Sequence, residues 1–365
     1  METQKAFKYR IYPNKKQTEA LAKQFGCTRF VFNYFLKRRM DSFTQTGTRF
    51  NYYDMARELT VLKKLPEYIW LKEANSQSLQ AALKNVDSAY ENFFQKRAKY
   101  PRFKKKRNKQ SFKVPQFFKL EGNKLSLPKM DTLLLVMHRP LEGTPVSLTI
   151  SKASSGRYFA SFQCKMDISE PTYSGQIIGC DFGLKDFVTD SNGIKTQHPK
   201  PLKRSQEALM RLQKNVSRKK KGSANRAKTV RLVAKKHEKI TNQRNDFLHK
   251  FSRTMVNENQ VIILEDLSIK NMVKNHCLAQ ALSDSGWSEF VRQLEYKGAW
   301  YGCEIVKIDR WQPSSKRCHT CGWINDLLTL ADREWQCFEC KTTHDRDYNA
   351  ARNILIFGRA GCAQT

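Results

Sequence analysis

Four cysteines and three carboxylates carry the chemistry legible in this chain. Cys318-His319-Thr320-Cys321 and Cys337-Phe338-Glu339-Cys340 form two Cys-x-x-Cys pairs. Pairs separated by about 15–20 residues fit a zinc-ribbon pattern. Each pair sits on a turn that can aim both sulfurs at one tetrahedral ion, and four protein ligands leave no open position, so such a zinc is structural. The competing reading is unrelated thiols or two disulfides. The other six cysteines (27, 164, 180, 277, 303 and 362) are scattered singly. With no signal peptide ahead of them, a reducing cytosolic setting is expected, where disulfides are rare. His319 and His344 could each replace a thiol, but with four cysteines in place both are expected to be bystanders.

The carboxylates are Asp181, Glu265 and Asp347. An apolar run, Ile177-Ile178-Gly179-Cys180, delivers Asp181 into a glycine-flanked turn. A second, Val261-Ile262-Ile263-Leu264, ends in Glu265-Asp266. Strand alternation means that Glu265 and Asp266 cannot both face one site. Asp347 opens the last helix, with Ala350, Ala351, Ile354 and Leu355 expected inward. Clustered carboxylates repel and need compensation. Two Mg²⁺ ions about 4 Å apart, held by hard oxygen ligands, could activate a water and stabilise the leaving oxygen of a phosphodiester. Mn²⁺ would substitute. Spacing alone leaves open that the three acids never meet.

Composition names the partner class. The 365 residues hold 66 Lys+Arg against 34 Asp+Glu, a formal charge of +32. Such a chain repels itself unless a polyanion neutralises it, and nucleic acid is the usual partner. A membrane surface is weakened by the lack of any apolar run near the roughly 18 residues of a spanning helix. A ribosomal-type structural protein would not need the acids. Residues 95–113 hold ten Lys or Arg and no acid, with Tyr100, Phe103 and Phe112 interleaved. Lys104, Lys105, Lys106 and Arg107 are its densest part, expected to contact phosphates while the aromatics stack on bases. Residues 203–250 hold 16 Lys or Arg against three acids. They read as two long basic helices joined around Lys219-Lys220-Lys221-Gly222, with Arg218, Lys219, Lys220 and Lys221 expected to meet phosphates.

The positioning elements follow from periodicity. Phe7, Tyr9 and Ile11 alternate with charged residues in a strand over 5–12. Helices are expected from Lys15, from Thr28 to Phe43, over 52–65, and over 75–98, where Leu79, Leu83, Val86, Tyr90 and Phe93 share a face. From Phe112 to Asp167 short β-runs alternate with turns. The first domain therefore reads as a small β-barrel with a helical insertion, residues 168–175 as a linker, and the remainder as an α/β segment with a helix over 287–301 and a strand over 303–308.

Together these motifs are recognisable. The opening Lys-Ala-Phe-Lys-Tyr-Arg-Ile-Tyr-Pro, Pro101-Arg102-Phe103-Lys104, Gly179-Cys180-Asp181-Phe182-Gly183, Ser217-Arg218-Lys219-Lys220-Lys221-Gly222, Asn242-Gln243-Arg244 and Leu264-Glu265-Asp266-Leu267 are joined by Pro313-Ser314-Ser315-Lys316, both cysteine pairs and Asp345-Arg346-Asp347-x-Asn349-Ala350-Ala351. The chain resembles the TnpB family, transposon-encoded RNA-guided nucleases related to type V CRISPR effectors. The resemblance implies a multidomain α+β fold: a β-barrel wedge domain (first strand 1–14, remainder 101–175) with a helical recognition insertion (15–100). A RuvC-like, RNase H-fold nuclease domain with a basic helical hairpin (176–310) would follow. A zinc-ribbon insert that binds target nucleic acid (311–343) and a closing RuvC-like part with the tail (344–365) would complete it. It implies Asp181, Glu265 and Asp347 as the catalytic, Mg²⁺-binding acids, with Asp345 assisting at most. Guide RNA and target DNA would be the partners, one protein per RNA, in the bacterial cytoplasm and on the nucleoid. DNA paired to the guide would be cut beside a short adjacent motif. Two rivals remain: an RNA-guided DNA-binding regulator that does not cut, and a strand-transferring transposase, for which no Tyr or Ser nucleophile motif stands out. The family's usual Ile or Val before the first acid is Cys180 here, and Lys341 stands where Gly commonly follows the last cysteine.

Overall fold

The computed structural model describes residues 2–107, 109–168, 175–329 and 331–362. It divides into two compact units, Glu2–Asp167 and the chain from Ile168 onward. Most of the expected 168–175 linker lies outside the described residues.

The first unit runs β1 (Glu2–Ile11), α1 (Lys15–Thr46), α2 (Tyr52–Leu62), a 3-10 helix (Pro66–Glu73), α3 (Ser76–Phe94), β2 (Gln110–Val114), β3 (Lys119–Glu121), β4 (Lys124–Leu127), β5 (Met130–Val136), β6 (Thr144–Lys152) and β7 (Tyr158–Asp167). Seven strands form an antiparallel sheet in the order β2-β6-β7-β1-β5-β4-β3. β1 is its spine, paired along its length with β7 and at Arg10 and Ile11 with β5. Phe7, Tyr9 and Ile11 point inward as their alternation predicts. The two helices expected from Lys15 and from Thr28 are one continuous helix, α1. Gly26 does not break it, although glycine inside a helix costs about 1 kcal/mol. Burial on both sides of that glycine offsets the cost: Leu21 and Phe25 pack into the sheet core, while Val31, Phe35 and Leu36 join the core made with α2 and α3.

The second unit runs β8 (Ile177–Asp181), β9 (Asp186–Asp190), β10 (Lys195–Gln197), α4 (Pro201–Ser217), α5 (Ala224–Glu258), β11 (Val261–Glu265), α6 (Ile269–Met272), α7 (His276–Ser285), α8 (Trp287–Tyr301), β12 (Glu304–Ile308), β13 (Glu334–Gln336), β14 (Thr343–Asp345) and α9 (Arg346–Cys362). Its main sheet has the order β10-β9-β8-β11-β12. β8, β11 and β12 are parallel, so their carboxyl ends share one edge. Val261–Leu264 of β11 are apolar, as suits a strand covered on both faces. Ile262 and Leu264 meet Phe187, Phe290 and Leu294, while Ile263 meets Ile354 and Leu355 of α9.

Gly179 sets how closely α9 can lie on the sheet. A Cβ built there would stand 2.6 Å from the Leu355 amide nitrogen and closer still to the Ala351 carbonyl oxygen. Gly179→Ala is therefore expected to lift α9 and to destabilise this unit by about 1–3 kcal/mol, the usual cost of overpacking. Urea unfolding followed by tryptophan fluorescence measures it; an unchanged midpoint would contradict the close-approach reading.

Candidate active site and cysteine cluster

β8 ends on Asp181 and β11 on Glu265, on neighbouring parallel strands. In an open α/β sheet, ligands bind beyond the carboxyl ends of the strands. Glu265 and Asp266 both line the cavity at this edge, and their partners tell them apart. Asp266 pairs with Arg310 at 2.6 Å, whereas the Ser314 hydroxyl donates to Glu265 Oε1. Asp347 lies in the first turn of α9, 3.7 Å from Arg333. A cavity of about 400 Å³ opens beside Glu265, lined also by Phe182, Lys270, Lys307 and Arg310.

Asp181 feels the other two acids. Burial, then the charges of Glu265 and Asp347, push the Asp181 carboxyl up to about 8, against a smaller opposing pull from Arg346 and the Phe182 amide. Burial also raises Glu265, and the Ser314 hydrogen bond partly offsets it. Asp345 is placed differently. It accepts from the Tyr348 amide at 2.9 Å, capping α9, and pairs with Lys195 at 2.6 Å. Burial raises its pKa, but Lys195 and the helix amides outweigh that and hold it below the usual value. The donors at the shared edge are hard carboxylate oxygens that a divalent cation would neutralise.

The cysteine cluster is close by in sequence and tied to the same helix. The sulfurs of Cys318, Cys321, Cys337 and Cys340 all lie within 4.8 Å of one another. Cys318 and Cys340 are 3.6 Å apart, and Cys321 and Cys337 3.5 Å. Tetrahedral thiolates about 2.3 Å from one ion would be roughly 3.8 Å apart, so the site fits such an ion. Gly322 and Lys341 follow the two pairs, and both have positive φ, +87° and +60°. The second turn thus adopts a glycine-type conformation with a lysine. His344 is buried, and its Nε2 lies 3.0 Å from the Cys318 sulfur, so it touches the cluster rather than standing apart from it.

Two asparagines join the cluster to α9. Asn349 Nδ2 donates to the carbonyls of Ser315 (3.2 Å) and Arg317 (2.7 Å), and its Oδ1 accepts from the His319 amide (3.0 Å). Asn353, one turn later, donates to Ser314 O (2.8 Å) and Arg317 O (2.5 Å). Both are fully buried. Their roles were not legible in the sequence; asparagines at i and i+4 beside small apolar residues are the one available signal.

The basic residues divide. Lys104 has its ammonium 3.8 Å from the centre of the Phe32 ring, and its backbone is bonded both ways to Asn33. Lys105, Lys106 and Arg107 are exposed. Arg218, Lys219, Lys220 and Lys221 form the exposed turn between α4 and α5, with Lys219 donating to Thr229 at 2.7 Å.

The chain is similar to known proteins. A family model described as "Probable transposase" matches residues 161–276, one described as "Cas12f1-like, TNB domain" matches 287–354, and one described as a helix-turn-helix domain matches 1–48, which here are chiefly β1 and α1. A Streptomyces pristinaespiralis protein named "Putative RNA-guided DNA endonuclease" is 44% identical over 99% of this chain and 91% of its own length. The chain belongs to the TnpB family. An Escherichia coli K12 member of the same name, InsQ, is 33% identical over 99% of this chain and 94% of its own. The fold also resembles Cas12f1 in the Cas12f1-sgRNA-target DNA complex, with a TM-score of 0.53 at 14% identity over 97% of this chain and 98% of that one. Among the described residues no helix is long and apolar enough to cross a membrane.

Asp181 makes stability depend on pH. Unfolded, it titrates near 3.8; folded, it keeps its proton up to about 8. Between those values the folded state binds more protons, so rising pH lowers stability. With zinc present and no added Mg²⁺ or Mn²⁺, Asp181→Asn is expected to melt above wild type near about pH 8.5, with the gap closing towards about pH 4. A pH-independent gap in thermal melts would contradict the burial reading.

Proposed function

We propose that this protein is an RNA-guided, divalent-metal-dependent DNA endonuclease that cuts DNA paired to its guide beside a short adjacent motif. The observation that carries the proposal is the end of the sheet: Asp181 on β8 is buried and is raised by that burial and by the charges of Glu265 on β11 and Asp347 on α9, in a chain of charge +32. A polyanionic substrate suits the surface, and a pair of Mg²⁺ ions, or Mn²⁺ in their place, suits the acids.

When bound, such ions supply an activated water and charge stabilisation for the leaving oxygen. Asp181, Glu265 and Asp347 would hold them. Lys270, Lys307 and Arg310 around the adjoining cavity would draw the phosphodiester in. The basic turn at Arg218, Lys219, Lys220 and Lys221 and the loop at Lys104, Lys105, Lys106 and Arg107 would neutralise nucleic-acid backbone. The four cysteines would hold structural zinc. In this reading residues 15–100 form the recognition insertion, 1–14 and 101–175 the wedge, 176–310 and 344–365 the RuvC-like nuclease, and 311–343 the target-binding insert. The neighbours' names and the fold likeness support this reading.

The test is reconstitution with the RNA that copurifies from the native locus. Asp181→Ala, Glu265→Ala and Asp347→Ala are each expected to lower the single-turnover cleavage rate at least about a thousand-fold, or about 4 kcal/mol. Target binding should stay near wild type. Wild-type cleavage by Asp181→Ala would overturn the assignment. Guided binding by wild type without cutting, even in Mn²⁺, would favour the regulator.

A further inference from the structure

We propose that Ser314 is a positioning residue that orients Glu265, and that Asn353 transmits to it the placement of α9. The inference rests on the metal-dependent nuclease reading above and names a part of the site which that reading does not contain.

Glu265 ends β11, and the hydroxyl of Ser314 is the side-chain group that donates to it, at Oε1. That bond occupies one carboxylate oxygen and leaves Oε2 to face a ligand. Ser314 does not belong to β11 or to either neighbouring strand. It sits in the segment that leaves β12 for the first cysteine pair, and it is itself buried. Its backbone carbonyl accepts from Asn353 Nδ2 at 2.8 Å. The second bond of the same amide goes to Arg317 O, while Oδ1 lies 3.4 Å from Arg317 Nη1. Asn353 is fully buried with its amide donors committed, so it holds the Ser314 peptide in one place. The helix that supplies Asn353 also supplies Asp347.

The consequence is a shared reference. Asp347 is placed directly by α9, and Glu265 is placed by α9 through Asn353 and Ser314. Asn349 ties the adjoining peptides and His319 to the same helix, so the cysteine-bearing segment is referenced to it as well. Two carboxylates from different elements thus keep one relative geometry. Hydrogen bonds that orient ligand side chains typically change metal affinity or activity 10–100-fold when removed.

Ser314→Thr and Ser314→Val test this, since they match in shape and differ in the hydroxyl. The guide-loaded protein is titrated with Mn²⁺ while free Mn²⁺ is read by electron paramagnetic resonance, and the Mn²⁺ dependence of single-turnover cleavage is recorded in parallel. Ser314→Val is expected to weaken Mn²⁺ binding and raise the half-saturating Mn²⁺ for cleavage 10–100-fold. Zinc content and target binding should match wild type. Ser314→Thr should restore both Mn²⁺ readouts to within about threefold, and Asn353→Ala should shift them in the Ser314→Val direction. Equal Mn²⁺ binding by the Val and Thr variants would overturn the proposal. So would a Val variant that loses zinc or target binding while the Thr variant keeps them, because the hydroxyl would then support the fold rather than Glu265. If wild type binds Mn²⁺ but does not cut, the nuclease reading fails, and the Val-to-Thr comparison of Mn²⁺ binding still decides the role of Ser314.

Discussion

Like charges at one sheet edge are the constraint on which the second unit depends. Asp181, Glu265 and Asp347 come from two strands and a helix, and burial first, then the charges of the other two acids, keep the proton on Asp181 up to about 8. Repulsion of this kind persists only where the surrounding structure leaves the side chains no alternative. The apolar strands β8 and β11, covered on both faces, supply that rigidity. Gly179 supplies the close approach, since any side chain there would meet the backbone of α9.

The segment between β12 and α9 has little apolar material of its own. Among the described residues its buried hydrophobic cluster is Cys318, Trp335 and Cys337, with Trp323, Leu328 and Cys340 partly buried around them. So small a core does not hold a loop of this length without a cross-link. A metal ion on the four thiolates would provide one. The asparagine pair then converts a locally rigid knuckle into a rigid attachment to α9. The cysteine cluster is thereby fastened to the helix that carries Asp347, with soft sulfur donors on one side and hard oxygen donors on the other.

Much of this was legible before any coordinates. The apolar runs ending in Asp181 and Glu265 announce buried strands, and the cysteine spacing announces the cluster. Period-2 alternation requires that only one of Glu265 and Asp266 face the site, but it does not say which; that answer lies in Ser314 and Arg310, 44–49 residues away. β9 and β10 carry aspartates, threonines and a glutamine and show no apolar alternation to reveal them. Gly26 suggests a break in α1 because a local rule cannot see two cores, one on each side. Asn349 and Asn353 look like surface residues by type, and only their buried carbonyl partners explain them. His344 is superfluous by counting ligands, yet it packs on the Cys318 sulfur.

The most direct test of the central claim is to locate metal on the carboxylates. A crystal of the guide-loaded protein soaked in Mn²⁺, with anomalous data collected at the manganese and zinc edges, separates the two sites by element. Manganese peaks are expected within coordination distance of Asp181, Glu265 and Asp347, and a zinc peak among Cys318, Cys321, Cys337 and Cys340. Manganese absent from the three acids in a crystal whose cysteines hold zinc would contradict the claim.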